Sequence, residues 1–161
     1  MTETYNIVKE HNEELQSQFN LILYSVLNLR SKIEILNQQY DELFTAAMSV
    51  SAIRYDKDKV QTSPRGTDDV IVKMIDIDNE RQKTIALFTQ QFEFLNRLFL
   101  QSKLTQEEYS VMYLRFLSSR QLTFQEIANR LENTDRKRCF YVYTKAYDKV
   151  RNNLMMNYKI A

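Results

Sequence analysis

Phe19, Ile22, Val26, Leu29, Ile33, Leu36, Tyr40, Leu43 and Ala47 recur at alternating spacings of three and four. That pattern keeps one apolar stripe on one side of a helix and predicts a long helix facing a partner helix. Residues 5–18 carry fewer apolar positions (Tyr5, Ile7, Val8, Leu15), so they either extend this helix or form a short one of their own. A second stripe runs through Ile71, Met74, Asp78, Arg81, Ile85, Phe88, Phe92, Leu95 and Phe99. Asp78 and Arg81 place charge in its middle. Either they fix register, or the stripe drifts there onto Ile75, Ile77 or Gln82. Between the stripes, Tyr55–Asp69 holds the only proline (Pro64) and the only glycine (Gly66), and reads as a connection. Residues 1–102 are therefore expected to form a long antiparallel helical hairpin, a coiled-coil-like arm. Each half would span roughly 45 Å at about 1.5 Å per residue. Such stripes are usually core. Whether each faces its neighbour or a second copy of the chain stays open at this level.

The pattern shortens after Leu104, and residues 103–161 read as a separate domain. Thr105-Gln-Glu-Glu108 is a capping-box pattern, in which a threonine oxygen accepts from a first-turn amide and the glutamate reaches back. Tyr109, Met112, Tyr113 and Phe116 then form a helical face. Ser118–Gln121 reads as a turn. Thr123-Phe-Gln-Glu126 repeats the capping pattern and opens a short helix with Ile127, Ala128 and Leu131 inward. After Glu132-Asn-Thr134, either Thr134 or Asp135 caps a last helix running to about Asn153. Its inward side carries Cys139, Val142, Ala146 and Val150.

Composition narrows the choices further. One glycine and one proline in 161 residues exclude a turn-rich β-sandwich, a glycine-rich phosphate loop and a nucleophile elbow. The fold class is all-α. A single cysteine (Cys139) and a single histidine (His11) cannot build a Cys/His zinc site, and no disulfide forms within the chain. The start of the sequence lacks a basic segment followed by an apolar run, and no stretch is apolar enough to span a bilayer. These features point to a cytoplasmic protein without membrane, metal or cofactor. Asp76, Asp78 and Glu80 have no histidine or third ligand beside them and read as solvated charge. Asp56-Lys-Asp58 lacks the glycine and terminal glutamate of a calcium loop. No catalytic constellation emerges, and an enzyme is not expected.

The net charge of +1 hides an asymmetry. Residues 1–102 hold eleven Lys/Arg against fifteen Asp/Glu, whereas residues 103–161 hold eleven against six. A basic third on an acidic body suits a polyanion partner. A short helix, a turn and a longer basic helix form the helix-turn-helix arrangement, whose second helix enters a DNA major groove. Small Ala128 would allow close crossing. Arg136, Lys137 and Arg138 stand at the N-terminal end of the second helix, with Tyr141, Thr144 and Lys145 further along. Arginine pairs bidentately with a guanine edge, while lysine mostly neutralises phosphate. The bland alternative is a solvated first turn, but cations there oppose the positive end of the helix dipole. Of Tyr141, Tyr143 and Tyr147, at least one should pack inward, and Cys139 reads as core.

The stretch Leu104–Leu154 resembles sigma-70 region 4 through its Leu-Thr-x-Glu-Glu, Leu-Arg-Phe-Leu, Thr-Phe-Gln-Glu-Ile-Ala and Ala-Tyr-Asp-Lys-Val-Arg runs. Residues 20–154 as a whole resemble the sigma-like regulators of phages and mobile elements of the ArpU and RinA type. The most specific piece is Arg-Tyr-Asp-Lys-Asp-Lys-Val-Gln-Thr-Ser-Pro at 54–64. The resemblance implies a transcriptional regulator, often of late or packaging genes. Its expected partners are double-stranded DNA and RNA polymerase, with a homo-oligomer left open. Its expected DNA-binding residues are Arg136, Lys137, Arg138, Tyr141, Thr144, Lys145 and Thr123. The turn Leu131–Asp135 departs from the family pattern in lacking glycine and in being one residue longer, with Asn133 available for a left-handed conformation. Residues 1–19 fall outside the resemblance. Two other readings compete: a coiled-coil adaptor that binds RNA polymerase or another protein without reading sequence, and a ring-forming small terminase subunit.

Overall fold

A computed structural model of the chain describes the backbone of residues 2–55, 65–132 and 134–157, with side chains over 12–49, 68–132 and 134–157. Among these residues lie five helices and no strand: α1 (Thr2–Tyr55), α2 (Arg65–Gln101), α3 (Gln106–Phe116), α4 (Phe124–Arg130) and α5 (Arg136–Asn157). The chain is all-α, as its composition implied. α1 is continuous, so residues 5–18 extend it. α2 starts at Arg65, inside the expected connection Tyr55–Asp69. A single glycine at Gly66 costs a helix only about 1 kcal/mol against alanine, too little to stop it. Residues 56–64, including Asp56, Asp58 and most of the 54–64 string, lie outside the described residues. So do Asn133 and the side chain of His11.

Backbone proximity divides the chain into two compact units, and the division differs from the expected boundary at 102. One unit is Leu29–Phe88. The other joins Met1–Asn28 to Thr89–Ala161. Aromatic packing explains the second grouping. Phe19 meets Tyr147 edge-on at 4.8 Å, Tyr24 meets Phe116 at 5.2 Å, and Phe99 lies 6.5 Å from Phe116. The start of α1 and the end of α2 are thus the body on which α3 and α5 rest. A heptad stripe shows that a helix face is covered, but not by what.

In the Leu29–Phe88 unit the two helices pair with each other in opposite directions. The Arg30 guanidinium lies 5.1 Å over Phe88, that of Arg81 lies 4.9 Å over Tyr40, and Lys32 bonds Glu80 at 2.5 Å. The α1 stripe from Leu29 to Ala47 is buried or half-buried as expected. The α2 stripe needs correction: Ile71 and Ile85 are exposed, and the seam passes through half-buried Ile77 and buried Thr84. Asp78 and Arg81 stay half-buried because they satisfy each other, while Arg81 also donates to Asn37 at 3.4 Å.

In the other unit α2 ends in a tight turn. The Ser102 hydroxyl donates to the Leu98 carbonyl at 2.6 Å, and Lys103 takes φ 52°. With so little glycine in the chain, a lysine occupies a left-handed position that costs an ordinary residue about 1–2 kcal/mol. Thr105 then caps α3 and Thr123 caps α4, each in a reciprocal box with Glu108 or Glu126. Phe19, Leu95, Phe99, Met112, Phe116 and Val150 are fully buried. Among the described residues no helix is long and apolar enough to cross a membrane.

Phe116 touches rings from α1, α2 and α5 at once, through Tyr24, Phe99 and Tyr143. Phe116→Ala should therefore lower unfolding free energy by about 3–5 kcal/mol in a denaturant titration, the usual cost of emptying a buried phenyl site.

Candidate nucleic-acid interface

α4 and α5 are set against each other by a small apolar cluster. Val111 of α3, Leu122, Ile127 and Ala128, and Cys139 and Val142 of α5 are all buried in it, with Leu114, Phe124, Leu131 and Tyr143 packed around them. Ala128 has no bulk to hold the helices apart, which is the role its size predicted. Burial raises the Cys139 pKa, so the thiol stays protonated as a core group. α4 is seven residues long and ends at Leu131 in extended backbone. Asp135 then opens α5: its carboxylate accepts the Arg138 amide at 2.7 Å, and its carbonyl accepts the Cys139 amide at 2.9 Å. Asp135 rather than Thr134 is thus the cap. α5 continues to Asn157, one turn beyond the expected end.

The inward side of α5 is Cys139, Val142, Ala146, Val150 and Leu154, all buried. Tyr143 and Tyr147 flank it, half-buried. The Tyr147 hydroxyl donates to Asn20 at 2.8 Å and accepts from Gln16. Burial, then the neighbouring Tyr24 and Tyr147, push the Tyr143 hydroxyl up to about 12. On the far side, Lys149 reaches the buried Glu108 at 2.7 Å. Burial alone would raise the Glu108 pKa. The Lys149 bond and the Thr105 amide outweigh it, so the carboxyl titrates below its ordinary value.

Arg136, Lys137, Arg138, Tyr141, Thr144 and Lys145 all lie on the exposed side of α5. They are not equally available. Glu107 holds the Arg138 guanidinium through two bonds, at 2.9 and 3.0 Å, which raises the arginine pKa and lowers that of Glu107. The Lys145 ammonium sits 4.5 Å over the Tyr141 ring. Thr144 donates to the Phe140 carbonyl at 2.9 Å. The expected Thr123 is exposed at the start of α4, but its hydroxyl is already engaged with Glu126. Arg136 and Lys137 have no ion pair or hydrogen bond to the described residues.

Two residues escaped the sequence reading. Glu107 neutralises one of the three leading cations, a pairing across 31 positions that local spacing does not reveal. Phe140 is 54% exposed on the same side of α5. Its place four residues after Arg136 and four before Thr144, off the inward stripe, was the available signal. It meets Phe124 edge-on at 5.3 Å and borders a groove with Asn20, Tyr24, Tyr143, Thr144 and Tyr147. No group of three or more His, Cys, Asp or Glu among the described residues could hold a metal ion. Compared with protein-family models, curated proteins and solved structures, the chain matches none.

Arg120 bonds Glu126 at 2.5 Å and, with the Thr123 amide and hydroxyl, lowers the Glu126 pKa to about 2. A carboxylate depressed by folding stabilises the fold above its unfolded pKa of about 4.5 and loses that contribution as pH falls toward 2. Stability measured by circular dichroism should drop over that window. Glu126→Gln should make the drop shallower. An unchanged slope would remove Glu126 from this role.

Proposed function

We propose that this chain is a sequence-specific, double-stranded-DNA-binding transcriptional regulator of the phage or mobile-element kind, acting in the cytoplasm and without catalysis. In this reading α4 and α5 are a helix-turn-helix, and α5 is the helix that enters the major groove. One observation carries it: the N-terminal turn of α5 projects Arg136 and Lys137 into solvent with no carboxylate partner among the described residues, while the opposite side of the helix is fully buried. Two unneutralised cations at the positive end of a helix are unfavourable alone and favourable against a polyanion. Arg136 is suited to a guanine edge and Lys137 to phosphate. Arg138, Tyr141, Thr144, Lys145 and Thr123 border the same surface. The absence of a glycine in the Leu131–Asp135 turn does not prevent α5 from being capped and oriented.

A second reading, the adaptor, has one observation in its favour. In the paired Leu29–Phe88 segments, which this reading treats as a helical hairpin, Phe44, Met48, Ile71 and Ile75 are exposed. Each directly follows a half-buried residue (Leu43, Ala47, Val70 or Met74), so helical geometry sets all four on one side. Gln39, Glu42, Lys73 and Asp76 line a groove on the other. An apolar face of this kind suits a protein partner, whether RNA polymerase or a second copy. It is compatible with DNA reading by α5, so the two functions separate by experiment.

Selection of bound fragments from random duplex DNA, followed by titration at several salt concentrations, tests the assignment. A regulator enriches one sequence and loses affinity steeply with salt. Arg136→Ala should weaken specific binding by about 1–3 kcal/mol and relax preference at one base pair. Lys137→Ala should weaken all sequences alike and lower the salt slope by about 1. An adaptor enriches no sequence, and neither substitution then changes its partner binding.

A further inference from the structure

Phe140 poses a problem that the cations do not. A phenyl ring more than half in water stands on the exposed side of α5 beside charged and hydroxyl-bearing side chains. Phe140 lies four residues after Arg136, three after Lys137 and four before Thr144, so all three neighbour it along one stripe of α5. Along that stripe Arg136 and Lys137 have no hydrogen bond or ion pair to the described residues, whereas the Thr144 hydroxyl already donates to the Phe140 carbonyl. The neighbouring Tyr141 ring is capped by Lys145, and Arg138 is held by Glu107. Phe140 is therefore the stripe's one apolar contact. Its ring cannot swing freely, because Phe124 and Tyr143 hold it at 5.3 and 6.2 Å.

We propose that Phe140 reads the 5-methyl group of a thymine in the major groove. The inference rests on the reading of α5 as the groove-entering helix and names what that helix selects. The major groove presents one apolar feature, the thymine methyl, and apolar side chains discriminate A·T from T·A and from G·C by touching it. A phenylalanine offers no donor or acceptor with which to read any other base edge. A fixed ring also loses little freedom on contact. The spacing to the neighbouring contact follows from geometry. Arg136 and Phe140 are separated by four residues, about 6 Å along a helix. Bases follow at about 3.4 Å along a strand. The thymine read by Phe140 therefore lies about two base steps from the guanine read by Arg136. A protein anchor would sit inside a continuous apolar patch; this ring packs on Phe124 and Tyr143 at its base, and its neighbours along the exposed stripe are Arg136, Lys137 and Thr144.

Uracil supplies the test, since it is thymine without the methyl group. In a duplex carrying the selected site, each thymine is replaced in turn by deoxyuridine, and dissociation constants are measured for the wild-type chain and for Phe140→Ala. The wild-type chain should lose about fourfold in affinity at one position, the worth of one buried methyl. Phe140→Ala should bind the thymine duplex no better than the wild-type chain binds the uracil duplex, and should be indifferent to the replacement. A thermal melt of the variant verifies its fold, and the wild-type arm needs no variant. Specific binding with no uracil-sensitive position, or equal sensitivity in Phe140→Ala, overturns the role of Phe140 and leaves the DNA reading standing. Absence of any duplex binding overturns both.

Discussion

The burial of one stripe of α5 is the constraint on which the rest depends. Cys139, Val142, Ala146, Val150 and Leu154 are inside, so the rotation of the helix about its axis is fixed. A helix with one face fixed inward has its outward face fixed too. The body that fixes it comes from distant parts of the chain. Phe19, Asn20 and Gln16 meet Tyr147, while Glu108 holds Lys149 on the other flank. Contacts at Tyr147 on one flank and Lys149 on the other thus bracket the apolar stripe.

Electrostatics at the head of α5 are arranged in opposition and partly relieved. Asp135 supplies the negative charge that an N-terminus favours, and its carboxylate accepts an amide there. Glu107 then neutralises one cation of the first turn. Set against Asp135 and Glu107, the three cations Arg136, Lys137 and Arg138 leave one net positive charge on this turn. Under the proposed function, Glu107 competes with phosphate for Arg138, which keeps general attraction to DNA below what three free cations would give.

The sequence was most legible where local chemistry decides the outcome. Both capping boxes, the short α4 and the inward stripe of α5 follow from side chains within four residues of each other, and the structure has them as expected. The α1 stripe was also legible, because its apolar positions are unambiguous. The α2 stripe was not. There Thr84 is buried while isoleucines at 71 and 85 are exposed, because paired charges at Asp78 and Arg81 shift the seam. The grouping of the start of α1 with the end of α2 was not visible for a related reason. Periodicity gives the face a helix buries, whereas the partner of that face is set by rings far away in sequence. At the candidate interface the cations were visible as a run. Which of them are free depends on Glu107, and that depends on the fold.

Placement of the Leu29–Phe88 unit as an insertion within the other unit orders the events of biosynthesis. Gln16 bonds a tyrosine 131 positions later. At about 5–20 residues per second, a ribosome leaves the first partner waiting roughly 7 to 26 seconds for the second. The inserted segments, joined by nearer neighbours, can associate first while still tethered. Through that interval Phe19 and Gln16 lack the Tyr147 contact, which forms only once α5 has been made.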